Sequence, residues 1–188
     1  MKIKHSQAYK FVKSCLDTIK SARIPLYSNK FSNHIYTQHQ HLAILCLMKY
    51  LKQHYREIVD LLQNTDAFTR LLKLKTIPHF TTLQKFFKRF SQLMFDRILC
   101  QSLKLFQLSV VGIAIDATGY DSDYSSKYYS VKIKGSCFRK SYTKDSIAID
   151  VKTQSILANK SCKAPRHDNK DFKLLIKKIY RRLKIDYV

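Results

Sequence analysis

Acidic residues are scarce in this chain. Across 188 residues, 13 Asp and Glu stand against 35 Lys and Arg, and Glu57 is the only glutamate. The resulting formal charge of +22 opposes a lone compact chain through self-repulsion, so a polyanionic partner is expected. Nucleic acid leads, with an anionic membrane surface or a ribosomal setting as alternatives. Only three Gly and three Pro are present, which argues against fibrous repeats and low-complexity disorder. The five cysteines (15, 46, 100, 137 and 162) form no Cys-x-x-Cys pair and none has zinc-finger spacing to a histidine. They read as reduced thiols filling the core of a cytoplasmic protein. No stretch approaches the roughly 18 apolar residues of a membrane span, and Met1–Lys20 holds no signal-like apolar run. No internal repeat is present.

What is there divides in two. At 45% hydrophobic residues the chain can bury a core. The positive charge is spread over both parts: residues 1–110 carry 18 Lys and Arg against 5 acids, and residues 111–188 carry 17 against 8. Residues 1–35 are weakly patterned, with Phe11, Val12, Leu16 and Ile19 spaced for a short helix and Pro25 in a loop. Residues 36–108 read as a helical region. Thr37 caps a helix carrying Leu42, Leu45 and Cys46. A second amphipathic helix carries Tyr55, Ile58, Val59, Leu61 and Leu62, and Asn64-Thr65-Asp66 ends it and caps a short third segment. After Ile77-Pro78-His79, Thr81 or Thr82 opens a long helix running to Phe106. Short helices, a Pro-containing turn and then a helix with Thr81, Thr82, Gln84, Lys85, Lys88 and Arg89 near its start resemble a helix-turn-helix layout. Polar and basic side chains at a helix N-terminus suit phosphates and base edges, so these six are the candidate DNA contacts.

Near Ser109 the composition shifts to β-branched and Tyr-rich segments. Residues 109–188 read as mixed α/β, making the chain α+β overall. Val110–Tyr120 is an apolar run that reads as a strand buried on both faces, with Asp116 at its end. Ligands collect beyond the carboxyl ends of such strands, which makes Asp116 the candidate site residue, against the alternative of a turn-capping Asp. Tyr128–Lys134 alternates like a half-buried strand. Ser146–Val151 and Ser155–Lys160 read as a hairpin turning at Lys152-Thr153-Gln154. Asp168 or Asn169 caps a helix with Phe172, Leu175, Ile176, Ile179, Tyr180 and Leu183 on its apolar face, and Ile185–Val188 opens a strand expected to lie parallel to the first.

Four of these stretches resemble the prokaryotic insertion-sequence transposases of the DDE class, whose catalytic domain is RNase H-like. They are Tyr55–Leu62 through Ile77–Leu83, Ile115–Tyr120, the strand pair around Ile149-Asp150, and Arg166-His167-Asp168 with its following helix; together they span roughly residues 36–188. The resemblance implies an N-terminal DNA-binding region at 36–108 and the first part of an incomplete, mixed RNase H-like sheet at 109–188. It also implies three carboxylates holding two magnesium or manganese ions for phosphodiester cleavage and strand transfer. Asp116 matches the first carboxylate. The second belongs on the strand after the Phe172–Leu183 helix and the third is a later Glu, so the chain is expected to be a truncated, catalytically incomplete fragment. It would then act as a homodimer or with its missing portion supplied separately, and would not bind the metal stably alone. Glu57, within Tyr55-Arg56-Glu57, lies in the wrong region for the family's Tyr…Arg…Glu signature.

The other acids read as structural. Asp168 and Asp171 suit helix capping, Asp186 precedes the expected ligand position, and Asp121, Asp123, Asp145 and Asp150 suit turns or strand edges. His167 reads as a surface or phosphate-contacting residue. Tyr120, Tyr124, Tyr128 and Tyr129 with Lys127 and Lys132 suit strand packing or stacking on bases. The alternative to a transposase is a non-enzymatic basic DNA-binding or regulatory protein.

Overall fold

The computed structural model describes residues 6–31, 33–105, 112–120, 142–163, 167 and 169–182. They form an α+β protein of two compact units that divide between Leu105 and Phe106.

The first unit is helical: α1 (Gln7–Ser21), α2 (Gln38–Tyr50), α3 (Tyr55–Asn64), α4 (Asp66–Leu71), α5 (Phe80–Arg89) and α6 (Gln92–Leu105). The start of the chain is better ordered than its weak patterning predicts. α1 is capped by the Ser6 hydroxyl, which accepts from the Tyr9 N–H at 3.3 Å, and it buries Val12 and Ile19 against α2 and α6. α2 is the central element. Leu42, Ala43, Ile44, Leu45, Leu47 and Met48 are all buried on it, more than one face of a surface helix provides. Thr37 caps it as expected, in a reciprocal box: Thr37 Oγ1 accepts from Gln40 N (3.1 Å), and Gln40 Oε1 accepts from Thr37 N (2.8 Å). The Gln40 amide also donates to the Leu72 and Lys73 carbonyls, which closes the end of α4. Phe11 stacks on Tyr50 across the α1–α2 seam, and Cys15 meets Cys46 one turn further along it. This sulfur contact raises the Cys15 pKa and lowers that of Cys46.

With three glycines in the chain, helix ends are built without them. Arg23, Lys52 and Lys73 follow α1, α2 and α4 in the left-handed conformation (φ 52°, 55° and 52°), a position where Gly is favoured. Each carries a strain of about 1 kcal/mol, and a positive charge beside the last carbonyls offsets part of it.

The long helix expected from Thr81 to Phe106 is two helices. The chain turns extended at Phe90 (ψ 120°), and the Ser91 carbonyl accepts from Met94 and Phe95 to start α6. The break lets Phe90 bury its ring between Phe86 and Phe95, with centroids 5.6 and 4.7 Å away. A straight helix would carry Phe90 past this aromatic cluster, so packing overrides local propensity.

The second unit holds β1 (Ile113–Tyr120), β2 (Thr143–Asp150), β3 (Ile156–Lys163) and α7 (Asn169–Arg182). Among the described residues the sheet is wholly antiparallel, in the order β1-β2-β3, rather than mixed. The expected strand at Tyr128–Lys134 and the strand opening at Ile185 lie outside the described residues. α7 covers one face. Leu175 and Ile179 are fully buried on it, as are Ala148, Leu157 and Ala158 on the sheet. Lys178 and Arg182, one turn apart, donate to the Asn159 and Leu157 carbonyls at 2.9 and 2.8 Å, tying the helix to β3 through backbone acceptors.

Asp171 lies in the first turn of α7, as expected, but on its buried face at 0% exposure. Its Oδ2 lies 3.5 Å from Lys144 Nζ, itself buried on β2, and accepts from Ser146 Oγ at 3.4 Å. A charged pair withdrawn from water fixes the seating of a helix because neither ion tolerates losing the other. Asp171→Ala is expected to destabilise the protein by about 3–5 kcal/mol in urea unfolding, by leaving Lys144 buried without its carboxylate. The double replacement Lys144→Met with Asp171→Leu should cost far less.

Candidate functional site

α5 is amphipathic by position. Leu83 and Phe86 are buried; Gln84, Lys85 and Lys88 are exposed, and Thr81 is half-buried on the same side. His79 precedes the helix and accepts from Thr81 N through Nδ1, at 3.4 Å. Arg56 of α3 lies over the Phe80 ring, 5.0 Å from its centroid, and so adds a cation beside the α5 N-terminus. The six candidate DNA contacts therefore separate. Thr81, Gln84, Lys85 and Lys88 share one outward face, which carries no acidic side chain. Thr82 and Arg89 turn along the helix side toward the loop before α2, where both line a cavity with Tyr36, His41 and Phe86. The layout differs from a compact helix-turn-helix: Thr65 alone joins α3 to α4, and Leu72–His79 joins α4 to α5, whereas such motifs use a turn of 3–4 residues.

Glu57, the lone glutamate, is a capping residue: Oε2 accepts from His54 N at 2.9 Å at the start of α3.

Asp116 lies in the middle of β1, not at its end. The strand continues through Ala117, Thr118, Gly119 and Tyr120, which the turn-like sequence does not suggest. Nor is β1 buried on both faces; its residues alternate between half-buried and exposed up to Thr118, and Asp116 is exposed. In the register Asp116 opposes Ile147 and Thr118 opposes Asp145, so both carboxylates point to the face away from Ala148 and α7. Asp116 Oδ1 accepts from the Ala117 N–H at 2.7 Å, and Asp145 Oδ1 accepts from Ser161 Oγ at 3.0 Å. Gly119 serves close approach rather than a turn, since a Cβ there would stand 3.0 Å from the Tyr142 ring.

Asp150, read from the sequence as a turn residue, does hold the β2–β3 turn, but at 0% exposure. Its Oδ2 accepts from Thr153 Oγ1 (2.6 Å) and Thr153 N (2.9 Å), and the hydroxyl bond above all holds its carboxyl below the usual range. His167 is exposed, and its carbonyl accepts from Lys170 N in the first turn of α7. Asp121, Asp123, Tyr124, Lys127, Tyr128, Tyr129, Lys132, Asp168 and Asp186 lie outside the described residues.

Among the described residues, no three His, Cys, Asp or Glu side chains are grouped to hold a metal ion, and no helix is long and apolar enough to cross a membrane. No family model, curated protein or solved structure matches this chain.

His41 is the titratable group that sequence reading missed. It is 7% exposed between the Tyr36 and Phe86 rings, and burial, with the Arg89 guanidinium second, lowers its pKa to about 4 from 6.5. The unfolded chain takes up this proton near pH 6.5 and the folded chain only near 4. Stability from the neutral imidazole is therefore complete above pH 6.5 and is lost as pH falls toward 4. Denaturant midpoints across that window should report a loss of about 3 kcal/mol, and His41→Phe should shrink it.

Proposed function

We propose that this chain binds double-stranded DNA through the outward face of α5, as the DNA-binding and first catalytic-domain portion of a DDE-class insertion-sequence transposase. The observation that carries the reading is the acid-free face of Thr81, Gln84, Lys85 and Lys88, on a unit with 18 Lys and Arg against 5 acids. Lys85 and Lys88 contact phosphates, which supplies affinity without sequence preference. Gln84 and Thr81 are the side chains of a type that reads base edges.

The RNase H-like reading of the second unit draws support from its order of three strands followed by a helix on one face. It also draws on Asp116, which projects from the other face of β1. Asp116 is the family's first carboxylate in this reading. A two-metal magnesium centre is not met by the described residues: Asp116 accepts from the Ala117 N–H, Asp145 accepts from Ser161 Oγ, and no third ligand among the described residues is grouped with them. No cleavage step is therefore assigned to them. The second reading is a non-enzymatic DNA-binding or regulatory role that uses the α5 face alone.

DNA affinity measured by fluorescence anisotropy should fall steeply between 50 and 200 mM salt, by roughly a thousandfold if about six phosphates are contacted. Lys85→Ala with Lys88→Ala should lower the slope of log affinity against log salt by about 2. Binding that is flat with salt would sink the proposal. Asp116→Ala should leave DNA affinity unchanged. Magnesium-dependent nicking by this chain that is abolished in Asp116→Ala would overturn the non-enzymatic reading.

A further inference from the structure

The loop between α1 and α2 and the side of α5 enclose a cavity of about 650 Å³, within the size range of small-ligand sites. Its chemistry is uneven in an informative way. Tyr27, Tyr36 and Phe86 supply aromatic walls, Phe31 stands at the rim, Arg89 supplies a cation, and no acidic side chain among the described residues lines it. Arg89 Nε donates to the Lys85 carbonyl at 3.2 Å, which fixes the guanidinium along the helix. His41, among the lining residues, is held between Tyr36 and Phe86, and its Nε2 is buried with no hydrogen-bond partner among the described residues. A buried polar atom of this kind is costly unless a ligand or water satisfies it.

The loop is shaped rather than slack. Tyr27 stacks on His34 with centroids 4.1 Å apart, Asn29 Oδ1 accepts from Phe31 N at 2.9 Å, and Gln38 Nε2 donates to the Pro25 carbonyl at 3.1 Å. This scaffold presents Phe31 at 92% exposure on the cavity rim. A large ring held in water on the rim of a cavity lined by other rings and an arginine suits a planar partner carrying negative charge. An aliphatic ligand would leave Arg89 unmatched, and inorganic phosphate would leave the rings unmatched.

We propose that this cavity is a single-nucleotide site, with the base stacked among the aromatic walls and the phosphate at Arg89. The nucleotide comes either free in solution or as an unpaired residue of a DNA strand. The site is separate from the outward face of α5, and free-nucleotide binding does not require duplex binding.

The test has two arms on the full chain. In the first, dAMP, dTMP and inorganic phosphate are titrated by calorimetry. In the second, a duplex with one unpaired nucleotide is compared with a fully paired duplex of equal length by anisotropy. Saturable mononucleotide binding at least tenfold tighter than phosphate identifies the free source. A preference of roughly tenfold for the unpaired nucleotide, the scale of one base–aromatic stack, identifies the strand. Either signal should be lost in Phe31→Ala and in Arg89→Ala. Phe31 is 92% exposed, so its truncation removes nothing from the core and paired-duplex affinity should persist. Binding of phosphate as tight as that of nucleotides, or equal affinity for the two duplexes with no mononucleotide binding, overturns the site. So does a signal that survives both substitutions. Loss of all duplex affinity in the unsubstituted chain, with mononucleotide binding intact, would instead sink only the duplex-binding reading.

Discussion

The scarcity of acid governs this protein. Thirteen carboxylates must serve 35 cations, and several are committed to internal structure rather than to neutralising the surface. Asp171 is buried against Lys144, Asp150 is buried in the β2–β3 turn, and Glu57 and Asp116 accept from backbone N–H groups. Burying Asp150 takes one negative charge off the surface, whereas the Asp171–Lys144 pair withdraws one charge of each sign and Glu57 and Asp116 stay exposed. Self-repulsion among the excess cations opposes the compact state, and the proposed polyanionic partner would offset it.

The helical unit answers this constraint by concentrating its apolar residues. α2 is buried on nearly all sides, and the remaining helices need only a single stripe each, which frees their outer faces for Lys and Arg. α5 is the sharpest instance. Leu83 and Phe86 hold one side in the core while Gln84, Lys85 and Lys88 stand in water. The break at Phe90 belongs to the same economy, because it adds another ring to the core without lengthening the basic face.

In the second unit, the sheet has one face under α7 and one face that carries Asp116 and Asp145. Burying Lys144 and Asp171 together on the covered side sets which way β2 faces, and with it the side on which the cross-strand neighbours of β1 project. A one-residue slip would bring Asp116 beneath the helix, where an unpaired carboxylate is prohibitively costly. The ion pair thus acts on Asp116 through register rather than through contact.

Periodicity and caps made most helices legible in the chain itself. Thr37, the Tyr55–Leu62 stripe, the Asn64–Asp66 stop and the Leu175–Ile179 pair carry their signal locally, through hydrogen bonds and spacings within one turn, whereas Phe172 and Tyr180, expected on the same apolar face, are exposed. The hairpin about Lys152–Gln154 was legible for the same reason. Asp116 could be singled out, as a charge in an apolar run, but its mid-strand place could not, because Thr118 and Gly119 look like a turn until Tyr142 and β2 pair alongside them. The split at Phe90, the burial of Asp171 and the isolation of His41 depend on partners 25 or more residues away or on ring packing that no local pattern encodes. The sequence by itself determined the charge and the helical stripes. The tertiary structure alone decided which polar groups are buried and which face water, because burial is a property of the assembled surface and not of any residue's neighbours along the chain.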